Sequence, residues 1–188
     1  MESEIDEKAT ALTRARYQRL SATYDLMESL TEKRFYPWRK QLWELVTGTE
    51  FLEVGVGTGK NMPFYPLGVK LTAIDLTPGM LGHARKRAAA LRLHIALKIG
   101  DVQALEFPDS TFDAIVATYV FCSVPNPVLG FLELGRVLKP DGKIYLLEHM
   151  RIESEPFGKL MDAINPLVVR MMGANINRRT LDNIQTAG

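Results

Sequence analysis

From Glu50 onward, short apolar runs at 51–54, 69–74, 93–99, 112–119 and 143–147 alternate with longer segments of helical character near 59–65, 78–92, 126–138 and 156–172. A strand that returns to its own sheet through a helix runs parallel to its predecessor, and the crossover helices cover both faces. The alternation therefore predicts an α/β fold: a doubly wound, mostly parallel sheet in three layers. Asn126-Pro127 suits a helix start, with Asn as cap and Pro in the first turn. Lys139-Pro-Asp-Gly142 reads as a turn feeding the fifth run. Ahead of the alternation, residues 1–47 lack glycine and read as helical, with Tyr17, Leu20, Tyr24 and Met27 spaced like one helix face. A chain of 188 residues fits a single domain. It divides into a helical cap (1–47), a core (48–150) and an apolar helical lid (151–188).

Charge and cysteine content narrow the partners. The net charge of +1 offers no strong attraction to nucleic acid or an anionic membrane. The cluster Arg85-Lys86-Arg87 reads as the solvated face of a helix. One cysteine, Cys122, excludes an intrachain disulfide, and the three dispersed histidines predict no metal site. The acidic start, Met1 to Lys8, lacks the form of a signal peptide, and no stretch approaches the ~20 apolar residues of a membrane span. A cytoplasmic setting is the expectation.

The strongest local signal is Glu53-Val-Gly55-Val-Gly57-Thr-Gly59, directly after the first run. Glycines there permit a tight turn and close approach of a ligand, and a following helix would offer free N–H groups to an anion such as a carboxylate. Asp75 ends the second run, 20 residues beyond Gly55, where a carboxylate accepts from ribose hydroxyls. Asp101 ends the third, placed to accept from an adenine amino group, with Val102 beside the ring. Each acid alone is equally well a loop residue or cap. Three at successive strand ends, together with the glycine loop, predict a nucleoside site at the carboxyl edge of the sheet. Lys60 stands where the dinucleotide fingerprint wants a small residue, which disfavours a nicotinamide cofactor. Tyr36-Pro-Trp-Arg-Lys40 has a dehydrogenase spacing but precedes the glycine loop. No Gly-Lys-Ser/Thr follows, so a P-loop is excluded.

Together with Ile74-Asp75, Phe112-Asp-Ala-Ile-Val116 and Leu138-Lys-Pro-Asp-Gly-Lys143, these residues resemble the class I S-adenosylmethionine-dependent methyltransferases over about residues 15–188. The similarity is to the subgroup of quinone-biosynthesis C-methyltransferases, phosphatidylethanolamine N-methyltransferases and alkyl-thiol methyltransferases. Asn61-Met-Pro-Phe-Tyr-Pro66, Phe121-Cys-Ser-Val124, Glu148-His149 and Gly173-Ala-Asn-Ile-Asn-Arg178 point to the thiol enzymes. The resemblance implies a Rossmann-like fold, S-adenosylmethionine as cofactor and S-adenosylhomocysteine as product. The cofactor would be held by Tyr24, Glu53, Gly55, Gly57, Gly59, Asp75, Leu76, Asp101, Val102, Thr118 and Tyr119. It also implies a C-terminal antiparallel hairpin, which is expected to be missing here. Ile144 to Leu147 would then form an unfinished edge prone to pairing into a homodimer.

Methyl transfer from a sulfonium is an in-line displacement that needs alignment and exclusion of water. A thiol or phenol acceptor must also lose a proton, and His149, just after the fifth run, is the candidate base, with Glu148 as its partner. The alternative is a capping or surface histidine. Cys122 reads as a small buried hydrophobe. Ala117-Thr-Tyr-Val-Phe121 lacks the Asn/Asp-Pro-Pro-aromatic motif of many base and glutamine N-methyltransferases. The apolar, methionine-bearing 156–172 segment favours a hydrophobic acceptor, small or lipid-like, with at most peripheral membrane contact. A nonenzymatic cofactor-binding module and a nicotinamide oxidoreductase are the alternatives.

Overall fold

The computed structural model describes residues 4–188; Met1 to Ser3, the first part of the acidic start, lie outside the described residues. Five strands form one sheet: β1 (Glu50–Val54), β2 (Lys70–Asp75), β3 (Ala96–Ile99), β4 (Phe112–Thr118) and β5 (Leu138–Leu147). Their order is β3-β2-β1-β4-β5 and every pairing is parallel. The order reverses between β1 and β4, so the carboxyl ends of those two strands flank the crevice where ligands of such sheets bind.

Two apolar layers follow from the two-residue period of the strands. Phe51, Leu71, Ala73, Ala114 and Val116 face one side and pack with Trp43 of α2 (Tyr24–Glu44) and Leu81 and Ala84 of α3 (Pro78–Ala90). Leu52, Val54, Ile74 and Ile115 face the other, against Phe131, Leu134 and Val137 of α4 (Pro127–Val137) and Ile184 of α6 (Thr180–Ala187). Asn126 caps α4 as expected, accepting from Leu129 N at 3.1 Å.

Four local expectations are corrected. The N-terminal segment is two helices, α1 (Glu7–Leu20) and α2, broken at 21–23, so Tyr17 and Tyr24 do not share one helix face. No α-helix follows the glycine loop; only a 3-10 turn, Met62–Phe64, forms. Tyr65 precedes Pro66 and is extended (ψ 131°), as the proline ring demands, which ends the turn. The Lys139-to-Gly142 turn lies inside β5: Phe112 pairs with Leu138 and Ala114 with Lys143, so four residues bulge opposite Asp113. Asp113 is anchored there by Lys139 at 2.7 Å and by the amides of Thr49 and Glu50, each at 2.9 Å. The third strand begins at Ala96 rather than 93, because Arg92 takes a left-handed conformation (φ 56°) in leaving α3. Helix α6 was not anticipated.

Leu134 is fully buried between α4 and the sheet, away from the strand ends. Leu134→Ala should lower unfolding free energy by about 2–5 kcal/mol in urea titrations, the cost of a large-to-small core change. A smaller loss would mean that this layer is loosely packed.

Candidate active site

The loop after β1 is held by its own backbone and one carboxylate. Gly55 and Gly57 adopt φ of 65° and 55°, and a Cβ at Gly55 would collide with Val120 in the loop after β4. Only glycine allows both the conformation and that approach. Asp75, buried at the end of β2, accepts from Gly57 N at 2.9 Å through one oxygen and from Thr77 N at 2.8 Å through the other. Burial raises its pKa while the amides of Thr77 and Gly57 oppose the rise. Each carboxylate oxygen keeps a further lone pair for a ligand hydroxyl.

Asp75 belongs to a cleft running across the strand ends. Tyr24, Gly55, Gly57, Asp75, Leu76, Asp101, Val102, Thr118 and Tyr119 all line it. Asp101 accepts from the backbone N of Gln103 at 2.9 Å and from its side-chain amide at 3.1 Å. Gln103, itself buried, also ties this corner to Thr10 of α1 and to Asn126 N. Glu53, Gly59 and His149 do not line the cleft.

Glu53 lies beneath the loop instead. It is buried and accepts from the Asn61 amide at 2.6 Å and from the Tyr65 hydroxyl. Arg39, reaching in from α2, donates to Asn61 Oδ1 at 3.0 Å and Thr118 Oγ1 at 2.9 Å, and Asn61 also donates to Thr118 at 2.9 Å. Burial pushes the Glu53 carboxyl up to about 8, against the Asn61 bond and the Arg39 charge and with help from Asp75.

Three charged residues of the lining, Glu28, Arg39 and Lys60, were not foreseen as site residues. Lys60 Nζ sits 2.6 Å from Glu28 and 3.2 Å from Glu32, and 5.7 Å from the Tyr24 ring centre. Glu28, Glu32 and Arg39 recur at helical spacing in α2, a polar stripe that signals an inward polar face. Asp25 adds a clamp, accepting from Thr58 at 2.6 Å and Arg87 at 2.7 Å.

At the other end of the cleft, Tyr119 leaves β4 with φ 59°. Its ring stacks on His149 (4.4 Å, 22°) and meets Phe35 at 5.0 Å and the Arg39 guanidinium at 5.0 Å. Its hydroxyl is buried without a partner, and burial pushes it up to about 12. His149 meets these rings yet remains exposed; desolvation lowers its pKa, which favours the neutral ring. The expected pairing of Glu148 with His149 is corrected. Glu148 accepts from the Val120 and Phe121 amides at 2.8 and 3.1 Å, because β5 aims it under the loop after β4. Burial pushes Glu148 up to about 7. Cys122 is buried and pushed up to about 12 by that burial, which keeps it an inert thiol. Its carbonyl accepts from Asn175 N at 2.8 Å and Nδ2 at 3.0 Å, while Arg178 donates to Val124 O at 2.9 Å.

A family model described as a methyltransferase domain matches residues 52–146. The chain is 34% identical to a phosphatidylethanolamine N-methyltransferase of Cereibacter sphaeroides over 62% of its own length and 59% of the relative's. It is 35% identical to the thiol S-methyltransferase TMT1B of Rattus norvegicus, over 72% of the chain and 55% of the relative. A demethylmenaquinone methyltransferase of Tropheryma whipplei is 35% identical, over 83% and 67%. The chain thus spans between half and three fifths of the length of the first two. Among solved structures, a SAM-dependent methyltransferase from Thermotoga maritima, described as a possible histamine N-methyltransferase, superposes with a TM-score of 0.72 at 22% identity, over 93% of this chain and 80% of that one, which establishes the shared fold.

The buried acids make stability depend on pH in a defined direction. Glu53 is raised from its ordinary 4.5 to about 8, so the folded chain holds its proton where the unfolded chain has lost it. Stability from this source is complete below 4.5 and is lost as pH rises toward 8. Glu148 acts in the same sense but only up to about 7. Urea unfolding should therefore show stability falling across that window, and Glu53→Gln should flatten the fall above pH 7. A wild-type profile that rises with pH there would show Glu53 ionised throughout.

Proposed function

The chain belongs to the class I S-adenosylmethionine-dependent methyltransferases, and from that premise we propose that it moves a methyl group from S-adenosylmethionine to a small, hydrophobic acceptor. The observation carrying this reading is one continuous cleft that joins the carboxylates at the ends of β2 and β3 to Tyr119, whose ring meets Phe35 outside the lining. The residues fit the cofactor. Asp75 has lone pairs free for ribose hydroxyls, and Asp101 with Val102 suits an adenine edge and face. Gly55 and Gly57 would let the backbone approach the methionine portion, beside Thr118 and Tyr119. With no helix N-terminus after the loop, the cations Arg39 and Lys60 would supply the attraction for a carboxylate, and Glu28, paired with Lys60 at 2.6 Å, would meet an ammonium. Tyr24, lining the cleft from α2, would cover the cofactor. When bound, the cofactor supplies an electrophilic methyl group on a sulfonium.

The protein's share is alignment, exclusion of water and handling of one proton. Tyr119, Phe35 and the exposed Trp38 make an apolar approach suited to a thiol, a quinol or the chain-bearing amine of a phospholipid. His149, stacked on Tyr119 and with its neutral form favoured by desolvation, is the group proposed to take the acceptor's proton. Incubation with a methyl-labelled cofactor and a panel of alkyl thiols, quinols and phosphatidylethanolamine tests the reading. No label in any product would overturn it.

Two substitutions separate cofactor from acceptor chemistry. Asp75→Ala should weaken S-adenosylhomocysteine binding by ~1–3 kcal/mol in calorimetry, as for a hydrogen bond to a charged group. An unchanged affinity in a folded variant would sink the ribose assignment. His149→Ala should leave that affinity intact and slow transfer to a thiol or phenol by roughly 10²–10⁴-fold. The deficit should shrink once pH exceeds the acceptor's own pKa; a deficit equal at every pH would make His149 a stacking residue only.

A further inference from the structure

Helix α5 (Glu155–Met172) turns an apolar face to solvent. Phe157, Leu160, Leu167 and Met171 are each more than half exposed, and Ile164 is 43% exposed. Spaced three and four apart, they form one stripe along the helix. The opposite side attaches it to the body. Gly158 lies buried against the Arg151 guanidinium, Asp162 pairs with Arg151 at 3.0 Å, and Asn165 bonds Asn175 and the Ile176 amide. A helix that merely covered a core would have these faces exchanged.

The breadth and border of the face identify its partner. At 3.6 residues per turn, the uninterrupted apolar sector from Ala163 round to Met172 takes in about half the circumference. A seam for a second helix needs only about two positions in seven. Lys159 and Arg170 stand together along one edge of the sector, both exposed and neither ion-paired among the described residues. Glu155 and Asp162 are drawn off to Arg151, and Glu153 precedes the helix. Exposed Met150 and Ile152 continue the apolar surface from α5 back to His149. Apolar side chains flanked by cations are the pattern of a helix lying in a lipid headgroup layer.

We propose that this face of α5 seats the protein on an anionic lipid surface, with the helix in the plane of the interface. The net charge of +1 supplies no long-range pull, so binding rests on the apolar sector and its two local cations. Among the described residues no helix is long and apolar enough to cross a membrane. The proposal goes beyond methyl transfer and does not depend on it.

Co-sedimentation of the chain with vesicles of phosphatidylcholine, with and without phosphatidylglycerol, tests it directly. Binding should favour the anionic vesicles by roughly fivefold for each of the two cations and weaken with salt. Leu160→Glu/Leu167→Glu alters only exposed positions and should lower binding at least tenfold with far-UV circular dichroism unchanged. Lys159→Glu/Arg170→Glu should abolish the preference for anionic vesicles. Failure to sediment with either vesicle, or binding unaffected by the leucine substitutions, would overturn the proposal. So would a lipid-free dimer that those substitutions convert to monomer, since the face would then belong to a second copy.

Discussion

The site depends on one buried polar network: Arg39 bonded to Asn61 and Thr118, with Asn61 bonded in turn to Glu53. It joins a helix, two strand ends and the segment after the glycine loop at a point almost closed to solvent. In such surroundings an unpaired donor or acceptor is costly, so the members hold one another in a single arrangement. The network is what draws α2 across the carboxyl edge of the sheet. With Arg39 fixed, Glu28 and Tyr24, further up the same helix, fall over the cleft. Lys60 is one residue from Asn61, and its ion pairs with Glu28 and Glu32 close the same junction from the solvent side.

The opposite rim is organised by different means. Tyr119 leaves β4 in a conformation that side chains rarely adopt, and such strain persists only where neighbours impose it. Those neighbours are evident. Glu148 takes the amides of Val120 and Phe121, and Asn175 and Arg178 take carbonyls of the same loop from the far side. Phe121 is fixed below by its stack on Phe131 at 3.9 Å. The motifs around Glu148 and Gly173–Arg178, suggestive of thiol enzymes as sequence, thus serve to set the aromatic layer that faces the proposed acceptor. In the structure these segments act through loop shape, with Cys122 contributing its carbonyl and not its thiol.

Backbone needs made much of this legible in advance. Alternating apolar runs and helices imply a parallel sheet whatever the side chains touch. Glycines at 55 and 57 mark a turn that other residues resist, and acids at successive strand ends must meet at one edge of such a sheet. These are local or topological facts, and the family membership rests on the same residues. Where competing local rules met, sequence reasoning went astray. Gly59, Pro63 and Pro66 confine the expected helix at 59–65 to a single 3-10 turn, and the pull of Asp113 on Lys139 and on the β1 amides drew a turn into the middle of β5.

What the tertiary structure alone decided is which polar groups share a buried space. Glu53 stands in the glycine motif yet points beneath it, because the strand's two-residue period turns it toward α2, where Asn61 and Tyr65 wait. Glu148 adjoins His149 in sequence but serves a loop nearly thirty residues upstream. Arg39 and Thr118, 79 residues apart, meet only because a helix crosses the switch point of the sheet. Backbone conformation and strand order are written in short-range pattern; pairing of buried charge and hydrogen bonds is settled by long-range packing, which no local pattern records.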